Sequence, residues 1–203
     1  MKEDPPAPAF RRIVVATDVS MNAGIALRWA IALARTHDAR ITLVHAIEPL
    51  TLSSIPLALQ DAVAQQMATL EDEVRTAGIE VTSHVGVGRT WEIVAEAVEE
   101  IDADLIVVGA RGHTPYTGML LGSTADRIIR TARVPVLTVH PGDAEAPEHI
   151  RTVLVATDFS EEAGLACEVT LRLLGPPRDH RLVLLHAWEP LVDYGFGVAG
   201  PIA

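Results

Sequence analysis

The segment DLIVVGARGHTPYTGMLLGST, residues 104–124, decides the fold. It joins a short apolar run to a glycine-rich loop, and the loop leads into a segment of helical character. Gly109 would end a strand and let the chain leave without a Cβ in the way. Gly122 and Ser123 would open a helix, whose free N–H groups and positive dipole end favour phosphate. The segment therefore predicts a strand, a phosphate-binding loop and a helix.

The rest of the first 140 residues alternates between apolar runs and helical patterns. We predict strands over residues 12–17, 40–46, 80–86, 104–109 and 134–140. Between them, apolar residues recur at helical spacing, as Ala23, Ala26, Leu27 and Ala30 do. Strands that are apolar on both faces are typical of a parallel sheet covered on both sides. The pattern predicts an α/β protein with an open five-stranded parallel sheet and helices on both faces, as in Rossmann-like folds.

Periodicity alone leaves the strand order open. We expect the order 3-2-1-4-5, because the apolar strands 1 and 4 suit the centre of a sheet. In this order the chain reverses direction across the sheet between strands 1 and 4, and ligands of such folds bind beyond the carboxyl ends of the strands at that point. The glycine-rich loop follows strand 4, so it would reach this ligand position.

The loop lacks the lysine of a Walker A motif, since the one lysine in the chain is Lys2. Backbone amides at the start of a helix can hold phosphate on their own, and the hydroxyls of Ser123 and Thr124 would add donors. Gly112 suits either a left-handed backbone or the close approach of a ligand. Arg111 would add positive charge if it faces the ligand.

Further side chains, near the loop or after strand 1, could have either a ligand-binding or a structural role. Arg127 would add charge if it faces the ligand, and His113 could contact a terminal phosphate or lie in solvent. Asp18 follows strand 1 and is either a ligand-binding residue or a helix-entry residue that accepts from backbone amides. His45 and His186 recur at equivalent places after apolar strands, and we interpret both as structural. The sequence has no His/Cys cluster at ligand spacing, so we expect no structural metal.

Two pairs of segments repeat along the chain. IVVATDVS (13–20) is echoed by VLVATDFS (153–160), and HAIEPL (45–50) is echoed by HAWEPL (186–191). Their similar, domain-sized spacing indicates a duplicated domain. We predict a disordered tail at 1–10, a complete domain at 11–140, a linker at 141–150 and a partial second domain at 151–203. With few elements of its own, the partial copy should dock on the first domain, pair between chains or stay poorly ordered.

Composition restricts the class of partner. The formal net charge is −11, which argues against nucleic acid or an anionic membrane as partner. The single cysteine, Cys167, indicates a reducing compartment. The proline-rich start MKEDPPAPAF has no signal-peptide character, and no apolar run is long enough for a membrane span. We therefore expect a cytoplasmic protein.

The loop pattern G-x2-G-x9-G-S, the opening VVATDVS, the strand LVHAIEP and the ending VPVLTVH resemble the universal stress protein family of the ATP-binding kind. The resemblance covers residues 12–140, and 151 to about 191 as a partial second copy. It implies ATP, with Mg²⁺ plausible beside it, and a homodimer through strand 134–140. It implies an adenine pocket lined by Ala16, Thr17 and the backbone of Ala46. Asp18 would lie on the ribose or adenine side, and Val108 and Gly109 would lie under the ribose and phosphates. The residues around the phosphates would be Gly112, Gly122, Ser123 and Thr124.

Three functions compete at this point. The first is a binding module that senses ATP in the stress response and changes its partners or assembly when loaded. The second is a slow ATPase, or a protein that phosphorylates itself on Ser123 or Thr124. The third is an interaction module that binds no nucleotide. The complete glycine pattern argues against the third. No base is placed by the sequence to activate water and no lysine is available to a leaving phosphate, which favours the first over the second, and we predict no catalytic residues.

Overall fold

The computed structural model describes residues 10–48, 57–112, 121–143, 146, 150–175 and 179–188. In chain order its elements are β1 (Arg12–Ala16), α1 (Met21–His37), β2 (Arg40–Ile47), α2 (Leu57–Thr76), β3 (Val81–Val87), α3 (Thr90–Glu100), β4 (Leu105–Gly109), α4 (Ser123–Thr131), β5 (Val136–Val139), β6 (Thr152–Ala156), α5 (Glu161–Leu174) and β7 (Arg181–Leu185). The predicted 134–140 strand is shorter than expected. Pro135 has no N–H for the ladder, and β5 begins after it.

The first nine elements, strands β1 to β5 and the helices α1 to α4 between them, build the predicted sheet and its covering layers. Five parallel strands lie in the order β3-β2-β1-β4-β5, which confirms the α/β fold and the strand order. β1 is central and pairs with both β2 and β4. Its residues Ile13, Val14 and Val15 are fully buried, as a strand covered on both faces requires.

Two hydrophobic clusters fill the two sides of this sheet, because successive residues of a strand point to opposite faces. Ile13 and Val15 of β1 join the cluster under α1 and α2. Val14 and Ala16 join the cluster under α3 and α4. The alternation places a continuous apolar core on each face and leaves the carboxyl ends of β1 and β4 open between the two helix layers.

Matching local contacts start the first helix of each unit. Ser20 caps α1 by accepting from the Ala23 amide at 3.2 Å. Ser160 caps α5 by accepting from the Ala163 amide at 3.1 Å. A serine at this position satisfies one of the amides that have no partner inside the helix, so both repeated segments begin a helix in the same way.

The second unit, β6–α5–β7, is a parallel two-stranded ribbon with one helix. Val14 of β1 is fully buried, whereas Leu154, at the equivalent place in β6, is 59% exposed. On the other side of the ribbon, Val169 and Leu173 of α5 pack against the first domain's cluster under α1 and α2. The second unit therefore contacts the first domain through α5. Within the described ranges, no helix combines the length and hydropathy needed to cross a bilayer.

Candidate functional site

A cavity of about 510 Å³ opens where the carboxyl ends of β1 and β4 diverge. This volume falls in the usual range for small-molecule sites. Its wall combines the end of β1, the end of β2, the chain after β4 and the first turn of α4. All eleven site residues predicted from sequence line it: Ala16, Thr17, Asp18, Ala46, Val108, Gly109, Arg111, Gly112, Gly122, Ser123 and Thr124. The tertiary fold thus gathers residues spread over more than a hundred positions into one pocket.

The phosphate-loop end of the pocket is a helix start with no side-chain cap. Gly122 is the N-cap of α4, in extended backbone with φ −75° and ψ 156°. Its amide donates to the Ala110 carbonyl at 2.7 Å, which ties the loop's end to its beginning. A Cβ on Gly122 would lie 3.3 Å from that same carbonyl oxygen. The first amides of α4 have no partner inside the helix and carry its positive dipole end, so they suit an anion.

Asp18 performs a structural role and also faces the pocket. Its Oδ1 accepts from the Ser20 amide at 3.0 Å, the helix-entry contact expected from sequence. Asp158 makes the same contact with Ser160 at 2.9 Å. The Oδ2 of Asp18 points across the pocket, only 2.6 Å from where a Cβ on Gly112 would be. The contact with the amide therefore explains the recurrence of the aspartate.

The 2.6 Å distance between Asp18 Oδ2 and a Cβ at position 112 bears on why a glycine stands there. The two explanations open from sequence were a left-handed backbone and the close approach of a ligand. Among described glycines the left-handed region holds Gly78, Gly88 and Gly175, and Gly112 is outside it. The close neighbour at this position is a side chain of the protein itself, because a Cβ on Gly112 would meet the carboxylate of Asp18 and force it to shift.

His45 lies behind the pocket lining and contacts Thr17, which lines it. Its Nδ1 donates to the Thr17 carbonyl at 2.8 Å, and His186 donates in the same way to Thr157 at 2.7 Å. Thr17 in turn accepts from the Val19 amide at 3.0 Å. These contacts support the structural interpretation of the repeated histidine.

Five pocket residues were not among the predicted site residues: Ala23, Thr90, Ala110, Leu121 and Ala125. Thr90 is the most informative, because it brings α3 to the rim. Its amide and hydroxyl both donate to Glu48 Oε1 at 2.9 Å. Arg89, at the N-cap position, supplies no side-chain cap. Glu48, the acidic residue of the repeated HAIEPL segment, was the signal available in the sequence for this contact, since a carboxylate suits the start of a helix.

The two candidate arginines lie in different places in the structure, one in the pocket wall and one outside it. Arg111 lines the pocket, and its buried Nε has no hydrogen-bond partner among the described residues. Arg127 is exposed and stacks on Trp91, with its guanidinium carbon 5.0 Å from the ring centroid. His113 lies outside the described residues. Over the described ranges, no group of three or more His, Cys, Asp and Glu side chains is placed to hold a metal ion.

The fold and the cavity together define an open parallel α/β protein with a pocket at its topological switch point. Residues 9–140 match the model of the universal stress protein family. The chain belongs to that family.

Relatives from two mycobacteria are similar over most of the chain. A universal stress protein of Mycolicibacterium smegmatis is 30% identical over 194 residues, covering 89% of this chain and 65% of the relative. One from Mycobacterium tuberculosis is 30% identical over 195 residues, covering 87% and 63%. The chain therefore spans a little under two thirds of the length of these relatives.

Solved structures of the family match a little under two thirds of the chain. A universal stress protein in complex with cAMP is 28% identical with a TM-score of 0.53, covering 65% of this chain and 98% of that one. The protein from Archaeoglobus fulgidus in complex with dAMP is 26% identical with a TM-score of 0.52, covering 64% and 97%. Both of these family members bind an adenine nucleotide.

Proposed function

We propose that this chain binds ATP in the pocket and acts as a nucleotide-loaded sensor, a regulatory binding module of the stress response. One observation carries the proposal: the uncapped start of α4 opens into a cavity that also contains every other predicted site residue. Family members in complex with cAMP and dAMP support an adenine nucleotide as the ligand.

The wall of the pocket suggests how the ligand would lie. Ala16 and Ala46 provide a small apolar surface for the base at the ends of β1 and β2. Asp18 would accept from the ribose hydroxyls through Oδ2, while Oδ1 stays on the Ser20 amide. The phosphates would lie on the amides of Ser123 and Thr124.

Two features favour a triphosphate over a monophosphate. The first turn of α4 presents several amides to the pocket, which can serve more than one phosphate group. Arg111 lines the same wall with a buried Nε that finds no partner among the described residues. Binding a phosphate oxygen would satisfy this group. Mg²⁺ would be held mainly by the phosphates and water, because it needs few protein ligands.

We propose binding without catalysis. Among the residues lining the pocket, Asp18 is the single carboxylate, and one of its oxygens already accepts from a backbone amide. No lysine is available to a leaving phosphate, since Lys2 is the only one in the chain. Incubation with γ-labelled ATP should leave the protein unlabelled. Label that is lost in a Ser123→Ala variant would establish autophosphorylation.

The proposal extends to assembly, location and organisation. β5 is an edge strand of the sheet, and an unpaired edge favours pairing with another chain, so we propose a homodimer through the 134–140 segment. We further propose a cytoplasmic location, and a chain divided into a complete domain over 11–140 and a partial second copy over 151–203. The shared contacts of Ser20 and Ser160 support the duplication.

Calorimetric titration with Mg-ATP tests the proposal. Nucleotide-stripped protein should bind close to one ATP per chain. A Gly122→Val variant should lose binding, because the new side chain projects from a position already 3.3 Å from the Ala110 carbonyl at the start of α4. Gly142→Val is the matched control, because nothing lies within 4 Å of a Cβ there. Folded wild-type protein that binds no ATP would overturn the proposal.

A further inference from the structure

A second built site lies at the amino ends of β1 and β4, at the end of the sheet opposite the nucleotide pocket. We call Phe10, His37 and Asp104 the docking site. Phe10 is fully buried and His37 is 3% exposed. The C-terminal turn of α5, residues 172–175, covers them. This is where the second unit meets the first domain.

Arg172 of α5 makes the charged part of the contact. Its guanidinium carbon lies 3.9 Å from the centroid of the Phe10 ring, close enough for a cation–π interaction. Its Nη2 lies 3.4 Å from Asp104 Oδ2, and the two side chains are only 24% and 21% exposed. Asp104 also accepts from the amides of Arg11 at 2.8 Å and Arg12 at 3.1 Å. The carboxylate is thus held by the first domain in the position that Arg172 needs.

His37, the last residue of α1, makes the second part of the contact. Its Nε2 donates to the Leu173 carbonyl at 3.1 Å, and its ring meets the Phe10 ring edge-on at 5.4 Å. Gly175 follows with φ +73°, and a Cβ there would lie 3.0 Å from Thr36 Cγ2. The two segments of the chain, around Thr36 and Gly175, approach too closely at this point to accept a side chain on Gly175 without adjustment.

We propose that the docking site is a proton-sensitive latch, which holds the second unit on the first domain while His37 is neutral and releases it when His37 is protonated. The neutral ring already uses Nε2–H on the Leu173 carbonyl. A second proton would create a buried cation close to the guanidinium groups of Arg172 and Arg11. Asp104 and the negative end of α1 would attract that cation, while burial and the two arginines oppose it.

The direction of the pKa shift agrees with this geometry. Burial, the largest influence, lowers the pKa of His37 from its ordinary value of 6.5, and Arg172 and Arg11 lower it further against the opposing effects of the Leu173 carbonyl and Asp104. A histidine with a lowered pKa favours the docked state at high pH. Its contribution is fully present above about pH 6.5 and is lost as the pH falls below that value. Loss of docking would leave α5 attached to the first domain only through the chain.

Hydrogen exchange of the α5 amides in the full chain, followed from pH 8 to pH 5.5, tests the latch. His37→Gln is the informative variant, because its amide can still donate to the Leu173 carbonyl but cannot titrate. The ratio of wild-type to variant exchange cancels the intrinsic pH dependence of the chemistry. We expect a ratio near one at pH 8 that rises by up to about tenfold per pH unit below pH 6.5.

Arg172→Met provides a second test that does not depend on His37. It should speed exchange of α5 at every pH, whereas Glu168→Gln, an exposed change on the same helix, should not. A flat ratio across the pH range would overturn the proton sensitivity. Unchanged exchange in Arg172→Met would overturn the docking site itself. Protection of α5 that depends on protein concentration would overturn docking within one chain and place α5 on a second copy.

Discussion

Replacing Gly112 by alanine tests whether the carboxylate of Asp18 is a binding group. The new Cβ would lie 2.6 Å from Asp18 Oδ2, and an ordinary contact begins near 3.4 Å. The carboxylate must therefore move by about 0.8 Å, since a methyl group attached to the backbone cannot yield. The backbone itself accepts alanine, because Gly112 is outside the left-handed region.

The size of the effect follows from the contacts that Asp18 would lose. A shift of that length separates Oδ1 from the Ser20 amide, now at 3.0 Å, and displaces Oδ2 from the proposed ribose position. A hydrogen bond to a charged group contributes about 1.5–3 kcal/mol. Gly112→Ala should therefore weaken ATP binding by about 10- to 150-fold. Any change in the free energy of unfolding should be smaller, because alanine restricts the unfolded chain and offsets part of the loss.

A double-mutant cycle measured by calorimetry separates this mechanism from general damage. In an Asp18→Ala background, Gly112→Ala should have almost no further effect, because the clash has been removed. Asp158→Ala is the matched control for the turn, since Asp158 makes the same contact with a backbone amide in the second unit. ATP affinity that falls equally in both backgrounds, or that falls in Asp158→Ala, would refute the reasoning.

Two further predictions concern stability and assembly. Gly86→Ala should lower the free energy of unfolding by about 1–3 kcal/mol in chemical denaturation, because its Cβ would lie 2.6 Å from Ile93 Cγ2. The same substitution should cost less in an Ile93→Ala background, which lacks Cγ2, and an equal cost in both backgrounds would argue against the clash. Light scattering should give twice the chain mass of 21.8 kDa, with hydrogen-exchange protection along β5 that rises with concentration. A mass of 21.8 kDa at every concentration would contradict the dimer.

The fold was predictable because each central strand of the first domain is a short run of consecutive apolar residues, which can be recognised from the local sequence. Ile13, Val14 and Val15 form an unbroken apolar run, which marks a strand buried on both faces. Boundaries were less accurate, since the end of a strand depends on which neighbour is available. β5 shows this, because it starts only after Pro135.

Most residues of the site were predictable from the sequence, whereas the reasons for some of them were not. The glycines and Asp18 carry a recognisable pattern, and all the predicted residues reach one pocket. Thr90 itself carries none, because it reaches the rim through the contact between Glu48 and the start of α3, and the available signal lay in Glu48. The reason for Gly112 was equally hidden, since it depends on a carboxylate 94 positions away in the chain.

The sequence by itself determined the class of fold and the family, because local periodicity and a spaced glycine loop do not require knowledge of distant neighbours. The strand order was an expectation from the apolar character of strands 1 and 4, and the sheet itself decided it. Tertiary structure alone decided the contacts between remote segments. It set Asp18 against Gly112 in the pocket and Arg172 against Phe10 and Asp104 at the opposite end of the sheet. Such pairs arise from packing of whole elements, and nothing in either local sequence specifies its partner.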